Sequence, residues 1–269
     1  MTKPYYLVLL LLISDSLLAQ QPVFRSQSAS LPGGGMQIGS GRAKSFVPKK
    51  DSQEIAPNRK FAPVGVNIKL LPLFGEYEKT DLQKKEDDEF LKMCDANFQN
   101  RSKASEFFAT RAWEYLQEGQ ADTAVHRFNL AFLLDDENVD AFWGLGVIEY
   151  QKGHIREAIN LMQRGNDINQ DDPVLMVDLA TIYIHAYTID KKDNDLVSAF
   201  NLLEKAIEIQ PESQNAYNQL TLAEILNGQY DNAWEHFHKS YEIDPEGINQ
   251  DILKDLLSKK PDPKGIFKK

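Results

Sequence analysis

At 269 residues, 42% hydrophobic and 26% charged with a formal net charge of −10, the chain has the composition of a soluble helical protein with room for one repeat domain plus extensions. The charge is uneven: residues 20–70 hold eight Lys or Arg against two acids, whereas residues 71–269 hold 21 against 37. An acidic body repels a phosphate backbone, which excludes nucleic acid as its ligand, and a single cysteine, Cys94, excludes an internal disulfide and any paired-Cys metal site.

The first 19 residues read as a signal peptide. Lys3 gives the positive start, residues 5–13 a short apolar run, and residues 14–19 a polar-to-small exit with cleavage expected between Ala19 and Gln20. Leu17 is bulkier than a signal peptidase prefers, so the cut position stays open. An apolar run of about ten residues, stopped by Asp15, falls short of the roughly 20 needed to cross a bilayer, and no stable transmembrane segment is expected. No Cys closes the run, which argues against a lipid anchor. Export is therefore expected, to a bacterial periplasm or, alternatively, to the extracellular space.

Residues 20–60 are rich in Ser, Gly, Pro, Gln and Lys without helical or strand period, the composition of a flexible basic linker. Its glycines form no phosphate loop, because Ser40 stands where that motif needs Lys followed by Ser or Thr. Lys49, Lys50, Arg59 and Lys60 can make weak contact with an anionic envelope surface, although a solvated arm is the plainer reading.

Residues 61–104 change character. Val64, Val66 and Ile68 alternate, then Leu70, Leu71, Leu73 and Phe74 cluster around Pro72 and Gly75, as in an extended segment lying on a helical surface. Such a segment either completes the domain's core permanently or occupies a binding face reversibly; permanent packing is the favoured expectation. Thr80 and Gln83 make a capping box, opening a helix over residues 80–98 whose Phe90, Leu91, Cys94 and Phe98 share one face. That helix is expected to cap the first repeat, with Cys94 a buried thiol.

Residues 105–247 repeat. Gly119 and Gly153 sit in near-copies of one phrase 34 residues apart, and Gly228 in a third copy; Ala112, Gly146 and Ala180 recur at the same spacing, as do Pro211 and Pro245. A helix-turn-helix unit of 34 residues cannot bury its own apolar face, so copies must stack. Phe128, Met162, Leu203 and Phe237 fall at matching slots of the second helices, each followed three residues later by a small residue. Residues 186–195 break the period with seven extra residues, expected to lengthen the first helix and then form a surface loop at the polar run 190–195. Residues 248–269 follow as a closing helix on Ile248, Ile252, Leu253, Leu256 and Leu257, ended by Pro261 and Pro263, with a basic tail.

The pattern Phe142-x2-Leu145-Gly146 followed by Ala158-x3-Met162, and Tyr217-x2-Leu220 followed by Ala233-x3-Phe237, Ser240 and Pro245, resembles the tetratricopeptide repeat family. Arg111, Asp136, Gln170 and Glu224 depart from it mildly. The stretch from Phe74 to Glu149, with Glu78-Lys79-Thr80 and residues 127–132, is also similar to a group of exported bacterial repeat proteins; it brings no activity with it. The resemblance implies an all-α fold, a right-handed α-solenoid of about four helix-turn-helix units with an N-terminal capping helix and a C-terminal closing helix. It further implies a concave face lined by first helices, with Trp113, Trp143, Val147, Tyr150, Thr181, His185, Asn218 and Leu222 as the candidate partner-binding residues. Trp143 and Tyr150 are its expected centre, the alternative for Trp113 and Trp143 being packing between helices. The family's slots for gripping a C-terminal carboxylate hold Ala109, Trp113, Gly144, Val174 and Asp178, so that clamp is not expected.

No catalytic constellation is legible. His126, His154, His185, His236 and His238 show no metal-ligand spacing, and no cofactor is expected. Three function classes remain: a periplasmic scaffold or adaptor binding a protein or peptide, an envelope-attachment protein using the basic arm, and, less favoured, an enzyme with an unrecognised site.

Overall fold

The computed structural model describes residues 61–267. The signal peptide expected over residues 1–19 and the basic linker expected over residues 20–60 lie outside the described residues. Within them run ten α-helices: α1 (Asp81–Asn97), α2 (Arg101–Gln117), α3 (Ala121–Leu134), α4 (Val139–Gln151), α5 (Ile155–Ile168), α6 (Pro173–Asp190), α7 (Asp193–Ile209), α8 (Gln214–Leu226), α9 (Tyr230–Ile243) and α10 (Gln250–Lys259). Helices α2 with α3, α6 with α7 and α8 with α9 pack as hairpins. The fold is thus an all-α solenoid of repeated helical hairpins.

Local chemistry sets the helix ends. The Thr80 hydroxyl accepts from the Gln83 amide while the Gln83 side chain accepts from the Thr80 amide, closing the capping box of α1. Asp172, ahead of Pro173, accepts from the amides of Val174 and Leu175. The turns after α2, α4 and α8 each need a left-handed residue, supplied by Gly119, Gly153 and Gly228 at φ of 77°, 82° and 73°.

The chain divides into two compact units between Leu145 and Gly146. In the unit ending at Leu145, α2 and α3 enclose Ala104, Phe108, Ala109, Leu130, Ala131 and Leu134, and Phe90, Leu91 and Phe98 of the α1 region pack on this cluster around buried Cys94. Gly144 is obligatory here, since a Cβ would lie 2.0 Å from the Phe128 ring. Residues 61–78 form a strap rather than the extended segment expected: two short 3-10 turns, Ile68–Leu70 and Pro72–Glu76, pack on α3. Asn129, fully buried, donates from Nδ2 to the carbonyls of Lys69 (3.1 Å) and Leu71 (2.8 Å). Ile68, Leu73 and Phe74 are buried, but Val64, Val66 and Leu70 face solvent. Leu73, Phe74 and Glu76 hold positive φ of 49°, 57° and 50° beside Gly75. Each such residue costs about 1–2 kcal/mol, offset by burying two large side chains and by Lys79 Nζ standing 3.5 Å over the Phe74 ring.

In the unit from Gly146 onward, one core joins Met176, Ala180, Leu196, Leu203, Leu220, Ala223, Trp234 and Phe237 with Ile252 and Leu256 of α10. The repeat insertion near residues 186–195 lengthens the first helix, as expected, but the polar run 190–195 is helix except for Lys191 and Lys192, not the surface loop expected. Helix α6 runs 18 residues and α7 runs 17, against 13 for α8 and 14 for α9, and only Lys191 and Lys192 separate the longer pair. Two features explain this. Asp193 and Asp195 fall in the first turn of α7, where the helix dipole favours them, and Arg156 bridges both helices, 2.6 Å from Asp190 and from Asp195. Lys191, at φ 52°, takes the left-handed position that glycine fills elsewhere.

Candidate functional site

The first helices of the hairpins carry every candidate residue, and most of these side chains are interior. Trp113 stacks edge-on against Phe128 and Trp143, with ring centroids 5.2 Å and 5.7 Å apart, and its indole N–H donates to Asp140 Oδ1 at 3.2 Å. Trp143 is 1% exposed and Val147 is fully buried. Packing between helices is therefore the role of both tryptophans, and Trp143 does not form the centre of an accessible face. The cause is non-local: Gly144 leaves room for the Phe128 ring, on which Trp113 seats.

Tyr150 and His185 differ. They project from neighbouring first helices, α4 and α6, and both are half-buried. The Tyr150 hydroxyl lies 3.0 Å from His185 Nδ1, with the rings edge to face at 5.6 Å. Burial pushes the Tyr150 phenol up and the His185 imidazole down, so both are neutral at pH 7. A neutral, amphipathic ring pair of this kind offers contact area and a polar edge without the cost of desolvating charge. Thr181 is buried, its hydroxyl donating to the Val177 carbonyl at 2.8 Å. Asn218 accepts from the Ser240 hydroxyl at 2.7 Å, and Leu222 is buried on the same helix, α8.

Several polar features lay outside the sequence reading. Glu224, 4% exposed, has both carboxylate oxygens 3.0 Å from Nδ1 of His236, which is 29% exposed. Burial raises the Glu224 carboxyl despite that imidazole, and the Glu224 hydrogen bond holds His236 above its ordinary value. Glu149 contacts Lys152 at 2.9 Å and His154 at 2.6 Å. Glu149 and Glu224 occupy one repeat position, which Tyr115 and Tyr183 fill in the other hairpins; a carboxylate at an aromatic slot was the available signal. A cavity of about 410 Å³ opens beside Gly153, His154, Ala186 and Ile189, but its guanidinium, Arg156, is held by Asp190 and Asp195.

Among the described residues no group of His, Cys, Asp or Glu side chains could hold a metal ion, and no helix is long and apolar enough to cross a membrane. Nothing in them points to catalysis.

Residues 115–186 match the family model described as tetratricopeptide repeat. A search of curated proteins finds no match. Among solved structures, PilF of Pseudomonas aeruginosa superposes with a TM-score of 0.51 at 18% identity, covering 59% of this chain and 70% of that one. MamA follows at a TM-score of 0.47, 21% identity and coverages of 63% and 97%. YrrB, described as a tetratricopeptide repeat protein with an unusual peptide-binding site, gives 0.45, 17%, 58% and 87%. Proteins built on such repeats are protein-interaction scaffolds, some of them peptide-binding.

Proposed function

Because this chain carries tetratricopeptide repeats, we propose that it is an exported interaction scaffold that binds a partner protein or peptide segment over Tyr150 and His185. The observation that carries this reading is the pair itself, two half-buried aromatic rings on adjacent first helices joined at 3.0 Å, where the neighbouring candidate slots are filled by buried side chains. Rigid rings lose little entropy on binding, and truncating such an anchor commonly costs about 2 kcal/mol, roughly thirtyfold in affinity.

The test begins with capture of partners from envelope extract on the intact chain. Calorimetry of the captured partner against Tyr150→Ala/His185→Ala follows, with circular dichroism to confirm the fold. Undiminished affinity in a folded double variant refutes the assignment. Export rests on Lys3, the apolar run and the small-residue exit at Ala19, and N-terminal sequencing of the cell-derived protein tests it: an N-terminus at Met1 in the cytosolic fraction overturns it. Envelope attachment is a second reading, favoured by the basic excess of residues 20–70; it requires sedimentation with envelope fractions that added salt abolishes.

A further inference from the structure

Beyond α10 the chain folds back along α9. Residues 260–267 run over the face formed by Trp234, His238 and Tyr241, which are spaced as one side of a helix. The Trp234 indole N–H donates to the Lys260 carbonyl at 3.1 Å. Asp262 inserts beside His238, with Oδ1 2.9 Å from Nε2, and the two side chains are 1% and 2% exposed; burial holds the imidazole below its ordinary value. The same carboxylate accepts the amides of Lys264 and Phe267, both at 2.9 Å, which coils the segment into a turn. Phe267 then stacks on Trp234 (6.3 Å) and His238 (6.2 Å) and meets Tyr241 edge-on at 5.1 Å. Lys260 pairs with Asp231 and Lys264 lies 3.7 Å from Glu242.

Two points set this segment at the edge of the core. Its contacts are those of a ligand: two anchors enter while Pro261, Pro263, Lys264, Gly265 and Ile266 stay exposed. The buried core residues beyond α9, Ile252 and Leu256, belong to α10, ahead of it, and Phe267 is only partly buried against that core. The repeat position of His238 is that of Asn129 in α3, which holds the N-terminal strap by its backbone carbonyls. The same slot of a second helix thus grips a chain segment in two hairpins.

We propose that this face of α9 is a peptide-binding slot, filled in cis by residues 260–267, that takes in trans the same segment from a second copy of the chain. Its ligand is a basic-flanked peptide with an aspartate and, five residues on, a phenylalanine: the carboxylate meets His238, the ring meets Trp234 and Tyr241, and the bases meet Asp231 and Glu242. The slot stands apart from the Tyr150–His185 pair and does not depend on it.

The experiment titrates a fluorescent peptide of residues 260–267 into the full chain and into the full chain carrying Phe267→Ala. A tethered segment competes at an effective concentration in the millimolar range, so the intact chain is expected to bind at least about tenfold more weakly than the variant. Peptides carrying Asp262→Asn or Phe267→Ala are expected to fail, and Tyr150→Ala/His185→Ala added to the Phe267→Ala chain to leave peptide binding unchanged. The proposal is overturned if the folded variant binds no peptide, if the altered peptides bind equally well, or if Phe267→Ala abolishes the helical circular dichroism, which makes the segment part of the fold.

Discussion

Replacing His236 by leucine isolates the most exposed weakness of the helical core. Leucine already stands at this repeat position as Leu161 and Leu202, so its shape suits the slot, and the perturbation is electrical. It strips Glu224 of the imidazole that lies 3.0 Å from both its oxygens, in a place where the carboxylate is 4% exposed. Breaking a buried pair from one side costs about 3–5 kcal/mol; because His236 is 29% exposed and water reaches it, about 2–3 kcal/mol is expected near pH 6. The pH dependence has a definite sign. His236 is held above its ordinary 6.5, so its contribution is full below that pH and is lost as pH rises through its folded value. Glu224 is raised above 4.5, so the fold favours its protonated form, and ionising it costs stability at higher pH. The variant should therefore lose most near pH 6, where a charged imidazole faces the ionised Glu224, less at pH 8, where the parent protein loses the imidazolium's contribution as well, and little near pH 4.5, where Glu224 accepts a proton. Adding Glu224→Gln should recover most of the loss. Urea unfolding followed by circular dichroism at the three pH values decides the matter: an unchanged midpoint at pH 6, or a double variant no better than the single one, refutes the reasoning.

Asn129→Ala should remove both hydrogen bonds to the strap, lowering stability by about 1–3 kcal/mol and speeding hydrogen exchange in residues 66–76 before it speeds in α3; equal protection in both proteins would refute the clamp. Gly144→Ala should cost at least about 1–3 kcal/mol in thermal unfolding, because the Phe128 ring occupies the added methyl's place. Gly146→Ala should cost less, since it meets the flexible Met162 side chain; the reverse ranking would refute the comparison. Arg156→Met should leave Asp190 and Asp195 facing each other and raise amide exchange at residues 188–196; unchanged exchange there would show that the helix ends hold without the bridge.

The sequence by itself determined what repeats or acts within a few residues. The 34-residue period, the small side chains in phase and Gly119, Gly153 and Gly228 dictate stacked hairpins, because a left-handed turn and a close helix contact constrain residue type at the position itself. Thr80 and Gln83 likewise announced α1, a capping box being complete within four residues. Exposure, by contrast, depends on partners far along the chain. Trp113 and Trp143 fit an inward slot by number, yet the space left by Gly144 and filled by Phe128 sinks them, and Tyr150 stays accessible beside His185 from the next hairpin. Only the tertiary structure decided that the polar run 190–195 is two helix ends tied by Arg156, that Lys69 and Leu71 offer their carbonyls to Asn129 while residues 73–76 turn left-handed, and that Asp262 and Phe267 return to α9. In each case the deciding contact joins residues separated in sequence, and its free energy overrides the local preference for a loop, an extended segment or a solvated tail.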